Sequence, residues 1–484
     1  MKYSKTLLSL LTPIQLLQAS FFVLLALTLS LHAVLSSTST LLLNQKLLLF
    51  LCTHRALVFS LLWCTLVALL AYLWTRPRPV LLLDYACFQP DADRKCSYEV
   101  CEYFVRRSRL FSTTSEEFMR GIYLKSGLGD ETYAPPFIFQ YDYEAKLRSA
   151  VQEASEGMIA AVDAVLYKTH VPAAAIDLLI VTCGMFTPSP SLSSLLVNHY
   201  RLPDTVATYN LSGMGCSSGA AAIDLAGRIL SGTRRVRYAL VVITESISLN
   251  WYFGDNRSML VTNCIFRVGT AAALLTNDGA RRRAAKMELL HALRTHHGAD
   301  DASYSAAFQE EDDTGSLGIS LKKDLIRVAG EGLRAHIRIL APRVLPWAQL
   351  VRYAFGEVTR WMKSGQGKQH VPDFTTAFEH MCIHTGGKAV IESVARLMRL
   401  DDRVTEPARM CLHRFGNTSS SLLFYELAYF EAKGRIRSGD RLWMLAFGTG
   451  FKVCSLVWKT LKDSGMDTDN PWKGCIHRYP LKAW

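Results

Sequence analysis

The sequence has no Cys-x-x-Cys pair, although it contains twelve cysteines. That absence argues against a structural zinc site, and thiols scattered this way make no disulfide framework. They read as ordinary thiols of a reducing compartment. Charge is also scarce: a fifth of the residues are Asp, Glu, Lys or Arg, whereas half are hydrophobic. At 484 residues the chain can therefore bury a large core, as about three average domains or one two-lobed unit. The formal net charge of +12 is spread along the chain and forms no nucleic-acid footprint. No nucleic-acid partner is expected; substrates bearing polyphosphate, or the surface of an acidic membrane, suit the excess.

Two stretches lack charge entirely. Residues 13–35 contain no Asp, Glu, Lys or Arg, and as a helix at about 1.5 Å per residue they are long enough to cross a bilayer. Residues 56–74 form the second, followed by Arg76 and Arg78, with Trp74 where an interfacial anchor belongs. The first stretch has no clear small-x-small cleavage site and a second one follows it, so a hairpin of two transmembrane helices is expected in place of a signal peptide. Asn210, Asn256 and Asn417 each open a glycosylation sequon, and two of the three lie in the chemical motifs described below. A body facing the cytosol avoids sugars there, and the many unpaired thiols agree with it. The endoplasmic reticulum is the membrane expected. Arg76-Pro-Arg-Pro79 is a stiff link that closes a membrane segment over residues 1–79.

Beyond it, short apolar strands alternate with helices. Strands are expected near 84–88, at 176–182, 238–244 and 268–276, and helices at 97–109, 143–166 and 191–200. This order predicts a mixed or parallel sheet with helices on its faces, an α/β fold. Residues 278–318 are polar, with Arg281-Arg-Arg283 at one end and Glu310-Glu-Asp-Asp313 at the other, and are expected to form a solvated loop. The basic triplet is a candidate for the phosphates of a nucleotide-like group. Residues 345–363 read as a cap. The pattern then restarts, with strands at 378–384, 442–447 and 453–458 and helices at 389–400 and 418–433, the last ended by Gly434. Two similar halves, 80–277 and 376–484, are expected around an interval at 278–375.

Three polar motifs stand out against apolar surroundings. In Asn210-Leu-Ser-Gly-Met-Gly-Cys-Ser-Ser-Gly-Ala-Ala-Ala, Gly213 and Gly215 permit a tight backbone entry into an Ala-rich helix. Cys216 sits at that helix start, where free N–H groups and the positive dipole end favour a thiolate. His384, in Cys-Ile-His-Thr-Gly-Gly, is suited to accept a thiol proton near neutral pH. Asn417, in Leu-His-Arg-Phe-Gly-Asn-Thr-Ser-Ser-Ser, offers an amide that beside a His N–H can hold an enolate or carbonyl oxygen. Each has a plain structural reading too: a buried cysteine, a capped strand end, a helix N-cap.

Together with Leu249-Asn-Trp-Tyr-Phe-Gly254, Arg257-Ser-Met-Leu260, Arg294-Thr-His296 and Gly298-Ala-Asp-Asp301, these motifs give the chain a resemblance to the plant 3-ketoacyl-CoA synthases, condensing enzymes of very-long-chain fatty acid elongation. The resemblance runs from about Arg76 to Lys459. It implies a thiolase-like fold of two similar halves, with Cys216 as acyl acceptor and His384 with Asn417 as the decarboxylation and condensation pair. It also marks His380, His413 and His296. His380 lies four residues before His384 and is expected on the same strand face. His413, four before Asn417, is expected to orient it. Backbone N–H groups of Cys216 and of the Gly448-Thr449-Gly450 turn are the expected oxyanion hole. The implied substrates are a long-chain acyl-CoA and malonyl-CoA, with no cofactor or metal. Implied partners are membrane lipid, other elongase subunits and a second copy of the chain. A chalcone-synthase-like polyketide enzyme is the alternative within the same fold; a catalytically silent elongase partner is the non-enzymatic one.

Overall fold

Leu81–Cys87 (β1) is the strand on which the two halves meet. The computed structural model describes residues 60, 62–69, 72, 77–140, 146–233, 235–362, 372–384, 386–465 and 467–482. The strands that follow are Leu178–Thr182 (β2), Ala207–Leu211 (β3), Tyr238–Thr244 (β4), Thr270–Thr276 (β5), Met287–His296 (β6), Ala307–Glu311 (β7), Leu317–Leu321 (β8), His380–Ile383 (β9), Arg441–Gly448 (β10) and Lys452–Thr460 (β11). Nine of them form one sheet in the order β3-β2-β4-β5-β1-β6-β11-β10-β9, and β7 pairs with β8 in a separate hairpin.

The pairing senses repeat on the two sides of the β1–β6 junction. From the centre outward, β1 to β5 and β5 to β4 are antiparallel and β4 to β2 is parallel. Likewise β6 to β11 and β11 to β10 are antiparallel and β10 to β9 is parallel. The expected duplication is thus present as topology without a repeated sequence.

The helix Ser218–Gly232 lies against β2 and β4 of one half and β6, β10 and β11 of the other. The helix Leu422–Ala432 does the same from the opposite half, touching β1, β9 and β10. Residues Leu422 to Glu431 are all buried, as a helix covered on every side must be. These two helices form the central layer. Outer layers come from Leu147–Thr169 on β1, β4 and β5, and from Leu325–Val344 on β6 and β11.

One expectation fails. Residues 278–318 are not a solvated loop, because β6 occupies Met287–His296 and pairs with both β1 and β11. Its sequence alternates Glu288, His291, Arg294 and His296 with apolar neighbours, so it lacks the continuous apolar run that marks β4 and β5. The second half therefore begins inside the stretch that reads as an interval.

The chain divides into two units, Met1–Pro77 and Arg78–Trp484. Residues 13–35 lie outside the described residues, and of 56–74 only residues 60, 62–69 and 72 are described, all helical. Among the described residues no helix is long and apolar enough to cross a membrane.

Candidate active site

Each half presents a short 3-10 turn at the start of its central helix. Gly215–Ser217 precedes Ser218–Gly232, and Ser419–Ser421 precedes Leu422–Ala432. The two turns meet directly: Ser420 Oγ accepts from Gly219 N at 2.5 Å and lies 3.1 Å from Ser218 Oγ. This contact brings Cys216 and Asn417 from distant parts of the chain to one cavity of about 120 Å³, which His384, Ser419, Glu245, Phe266 and the Gly448–Phe451 turn also line.

The cavity is built on close backbone approaches. Gly213 and Gly215 have φ of +65° and +54°, in the left-handed region that favours glycine. A Cβ on Gly215 would lie 2.8 Å from the Thr449 backbone nitrogen, so the Thr449 amide faces the cysteine turn. Gly448 is tighter still, with its Cβ position 2.1 Å from Ser217 Oγ and 2.3 Å from the Met214 carbonyl oxygen.

His384 is buried just beyond β9. Its backbone N–H donates to Leu445 O at 2.9 Å, while Ile383 N donates to the buried carboxylate of Glu426 at 2.8 Å. These bonds fix the strand end. Imidazole Nδ1 has no hydrogen-bond partner, so no protein group locks the tautomer. Burial pulls the ring pKa down to about 4, which keeps the imidazole neutral at physiological pH.

Asn417 is buried and anchored by its backbone, which donates to Ile265 O at 3.1 Å and accepts from Arg267 N at 2.9 Å. Its Oδ1 accepts from Ser419 N at 2.8 Å. That bond orients the amide and leaves Nδ2–H as the end available to a ligand. Ser419 itself has φ of +58°, strained for a serine and held by what its side chain touches. Its Oγ is 3.4 Å from Cys216 Sγ and 2.9 Å from Glu245 Oε2.

Glu245 was not singled out from the sequence. It follows the seven apolar-to-threonine residues of β4 and accepts from Met185 N at 2.8 Å, Gly184 N at 3.2 Å and Cys183 Sγ at 3.3 Å. Burial raises its pKa, and these donors oppose the rise. A charged residue directly after an unbroken apolar strand was the available signal.

The cysteine departs from expectation. A helix start does not suffice to make it a thiolate at rest: burial, with the Glu245 charge adding to it, pushes the Cys216 thiol up to about 12, against the opposing pull of Ser419. In substrate-free protein, alkylation of Cys216 by iodoacetamide should therefore speed up roughly tenfold per pH unit from about pH 7 to 10, with no plateau. A plateau near about pH 8.5, the range of an ordinary thiol, would show that the site does not hold the proton on sulfur.

Three histidines lie elsewhere. His380 does not line the cavity; at the far end of β9 its Nε2 is 2.8 Å from Asp440 Oδ2 and its ring packs on Phe430. Four residues of strand span about 13 Å, so a shared face does not bring it to the site. His413 makes no bond to Asn417. Its Nδ1 is 3.1 Å from Tyr479 OH, and a Cβ on Gly129 would clash with its ring, so it fills a packed contact. His296, at the exposed end of β6, accepts from Gly298 N at 3.1 Å beside the Gly450 turn. The basic triplet is also partly committed: Arg281 donates to Thr169 O at 3.1 Å and Arg282 pairs with Glu288 at 2.5 Å. It does not line the cavity.

Two similar halves that deliver a cysteine from one side and a histidine and asparagine from the other define a condensing enzyme of thiolase-like fold. Comparison with known proteins agrees. A family model described as FAE1/Type III polyketide synthase-like protein matches residues 72–362, and one for the C terminal of 3-oxoacyl-[acyl-carrier-protein] synthase III matches residues 375–460. The chain is 45% identical over 416 residues to 3-ketoacyl-CoA synthase 4 of Arabidopsis thaliana, covering 85% of this chain and 80% of that protein. It is 44% identical over 421 residues to 3-ketoacyl-CoA synthase 17 of the same plant, covering 86% of each. A probable 3-ketoacyl-CoA synthase 20 of Oryza sativa subsp. japonica is 44% identical over 425 residues, covering 87% of this chain and 81% of that one. A solved structure of a CsyB mutant shares the fold, with a TM-score of 0.61 at 19% identity over 79% of this chain and 100% of that one. The chain belongs to the 3-ketoacyl-CoA synthase family, whose members are acyltransferase-type condensing enzymes.

Proposed function

We propose that this chain condenses a long-chain acyl-CoA with malonyl-CoA through an acyl-cysteine at Cys216, the first step of very-long-chain fatty acid elongation. The observation that carries this reading is the single cavity lined by Cys216, His384, Asn417 and Thr449. Cys216 Sγ attacks the acyl thioester carbon as its proton moves by way of His384 to the departing CoA sulfur in the same step, so neither a free thiolate nor a standing imidazolium forms. A thiol held protonated until substrate arrives suits this order, since no free thiolate waits to be oxidised. Backbone N–H groups of Cys216 and Thr449 meet the tetrahedral oxygen.

Malonyl-CoA then enters. Its thioester oxygen accepts from His384 Nε2–H and Asn417 Nδ2–H as the bond to the carboxylate breaks. CO₂ leaves, and the electron pair moves onto the enolate held by those two donors. The enolate carbon attacks the acyl-cysteine, the C–S bond breaks, and the leaving Cys216 thiolate takes from solvent the one proton that the overall condensation consumes. Neutral histidine is the form this step needs, and burial maintains it. Ile265, Phe266, Phe447 and Phe451 line the cavity and shield the enolate from water.

The basic excess suits the CoA phosphates. The two uncharged N-terminal stretches form a membrane hairpin that keeps the enzyme on the endoplasmic reticulum with its body in the cytosol. It acts there with other elongase subunits and as a homodimer, and needs no cofactor.

Asn417→Asp tests the division of labour. The carboxylate still accepts from Ser419 N but no longer donates, so malonyl decarboxylation should fall by about 10²-fold or more while acylation of Cys216 stays within a few-fold. Equal loss of both steps would contradict an enolate role for Asn417.

A further inference from the structure

The helix Trp347–Met362 carries large apolar side chains that face solvent. Trp347, Val351, Phe355 and Val358 are 78%, 50%, 71% and 52% exposed. At 100° per residue they fall within an arc of about 80°, so they form a stripe on one face of the helix. Scattered exposed apolar residues are ordinary, but a stripe of this size marks a contact surface. Arg352 lies exposed on the same helix.

Next to the stripe, the helices Leu325–Val344, Trp347–Met362 and Lys388–Met398 enclose a groove of about 660 Å³. Its floor is apolar, with Leu333 and Val394, and Arg334, Arg338, Arg396 and Arg399 stand around it with no Asp or Glu in the lining. Among the described residues none of these four arginines forms an ion pair, whereas Arg327 is taken by Asp324 and Glu331. Ala329 and Val390 line this groove and the catalytic cavity alike, so the two adjoin.

We propose that this face docks on an anionic phospholipid surface, with the stripe at the boundary of headgroups and acyl chains and the groove arginines against lipid phosphates. Apolar side chains with basic residues beside them are the composition of an interfacial helix. A groove that opens onto lipid gives a long acyl tail a path toward Cys216 without crossing water. A tail moving instead through solution exposes each CH₂ at a cost of about 0.8 kcal/mol. The route rests on the proposed elongation activity; the docking rests on the surface alone, and is read without turnover.

The full chain, reconstituted in vesicles, should be photocrosslinked from benzoylphenylalanine placed at Val351 and, separately, at Val358. Both sites are exposed, so either variant serves if the other misfolds. Tyr167, 81% exposed on the helix Leu147–Thr169, carries the control probe. Both stripe sites should give adducts with lipid acyl chains, more abundant by about fivefold or more when phosphatidylserine is added to phosphatidylcholine. Adducts only with protein, including a second copy of the chain, would overturn the proposal and make the stripe a subunit surface. So would lipid adducts no more frequent than at Tyr167, even in a preparation that condenses acyl-CoA normally.

Discussion

Cys216→Ala should eliminate condensation, by at least about 10⁴-fold, while the protein remains folded. The fold should survive because little depends on the sulfur. Ser419 Oγ keeps its acceptor in Glu245 Oε2 at 2.9 Å, so no buried polar group is orphaned. Alanine keeps the Cβ that cysteine already places in the turn Gly215–Ser217 and adds no atom, so the cost should stay at about 1 kcal/mol. Product formation with long-chain acyl-CoA and labelled malonyl-CoA, alongside a thermal melt, separates the two effects. Activity within about tenfold of the parent would mean that another group carries the acyl chain.

Gly448→Ala should be nearly as damaging, although it touches no reacting atom. The new methyl group would sit 2.3 Å from the Met214 carbonyl oxygen and 2.1 Å from Ser217 Oγ. Ser217 Oγ could rotate, but at the cost of its 3.0 Å bond to Met214 O, and the carbonyl itself is backbone. The Gly448–Phe451 turn must therefore withdraw from the cysteine turn, taking the Thr449 amide with it. Loss of one oxyanion donor reduces turnover by about 10² to 10³-fold. Overpacking adds about 1–3 kcal/mol of destabilisation. A turnover loss well beyond the loss of folded protein is the expected signature; normal turnover would place the oxyanion hole elsewhere.

The parts of this site that were legible in the sequence share a physical mark. Cys216, His384 and Asn417 are small polar motifs set at the ends of apolar elements, where a parallel-stranded half exposes its chemistry. Their convergence follows from the doubled topology, which the spacing of strands and helices conveyed. Ser419 and Glu245 carried a weaker mark. Ser419 sits in a run of serines where nothing distinguishes the one with φ of +58°, since positive φ is usually announced by glycine. Glu245 is tied into the site by Gly184 and Met185 of one segment and by Ser419 of another, both far from it in sequence.

Distance along the chain misled in the other direction. His380 and His413 stand four residues before His384 and Asn417, yet Asp440 and Tyr479 hold them away from the cavity. Neither partner is near in sequence. β6 escaped notice because its charged residues gave it the composition of a loop, and only pairing with β1 and β11 on both sides makes it a strand. The neutral state of Cys216 was equally out of reach, because the dipole of a helix start is a local property whereas burial is set by the other half of the molecule.

Whether Cys216 carries the acyl chain is settled most directly by trapping it. The full chain, incubated with a long-chain acyl-CoA and no malonyl-CoA, then digested and examined by mass spectrometry, should bear the acyl group on the peptide containing Cys216, and malonyl-CoA should discharge it. An unmodified Cys216, or an acyl group lodged on a different residue and released by malonyl-CoA from there, would contradict the proposed role of this cysteine.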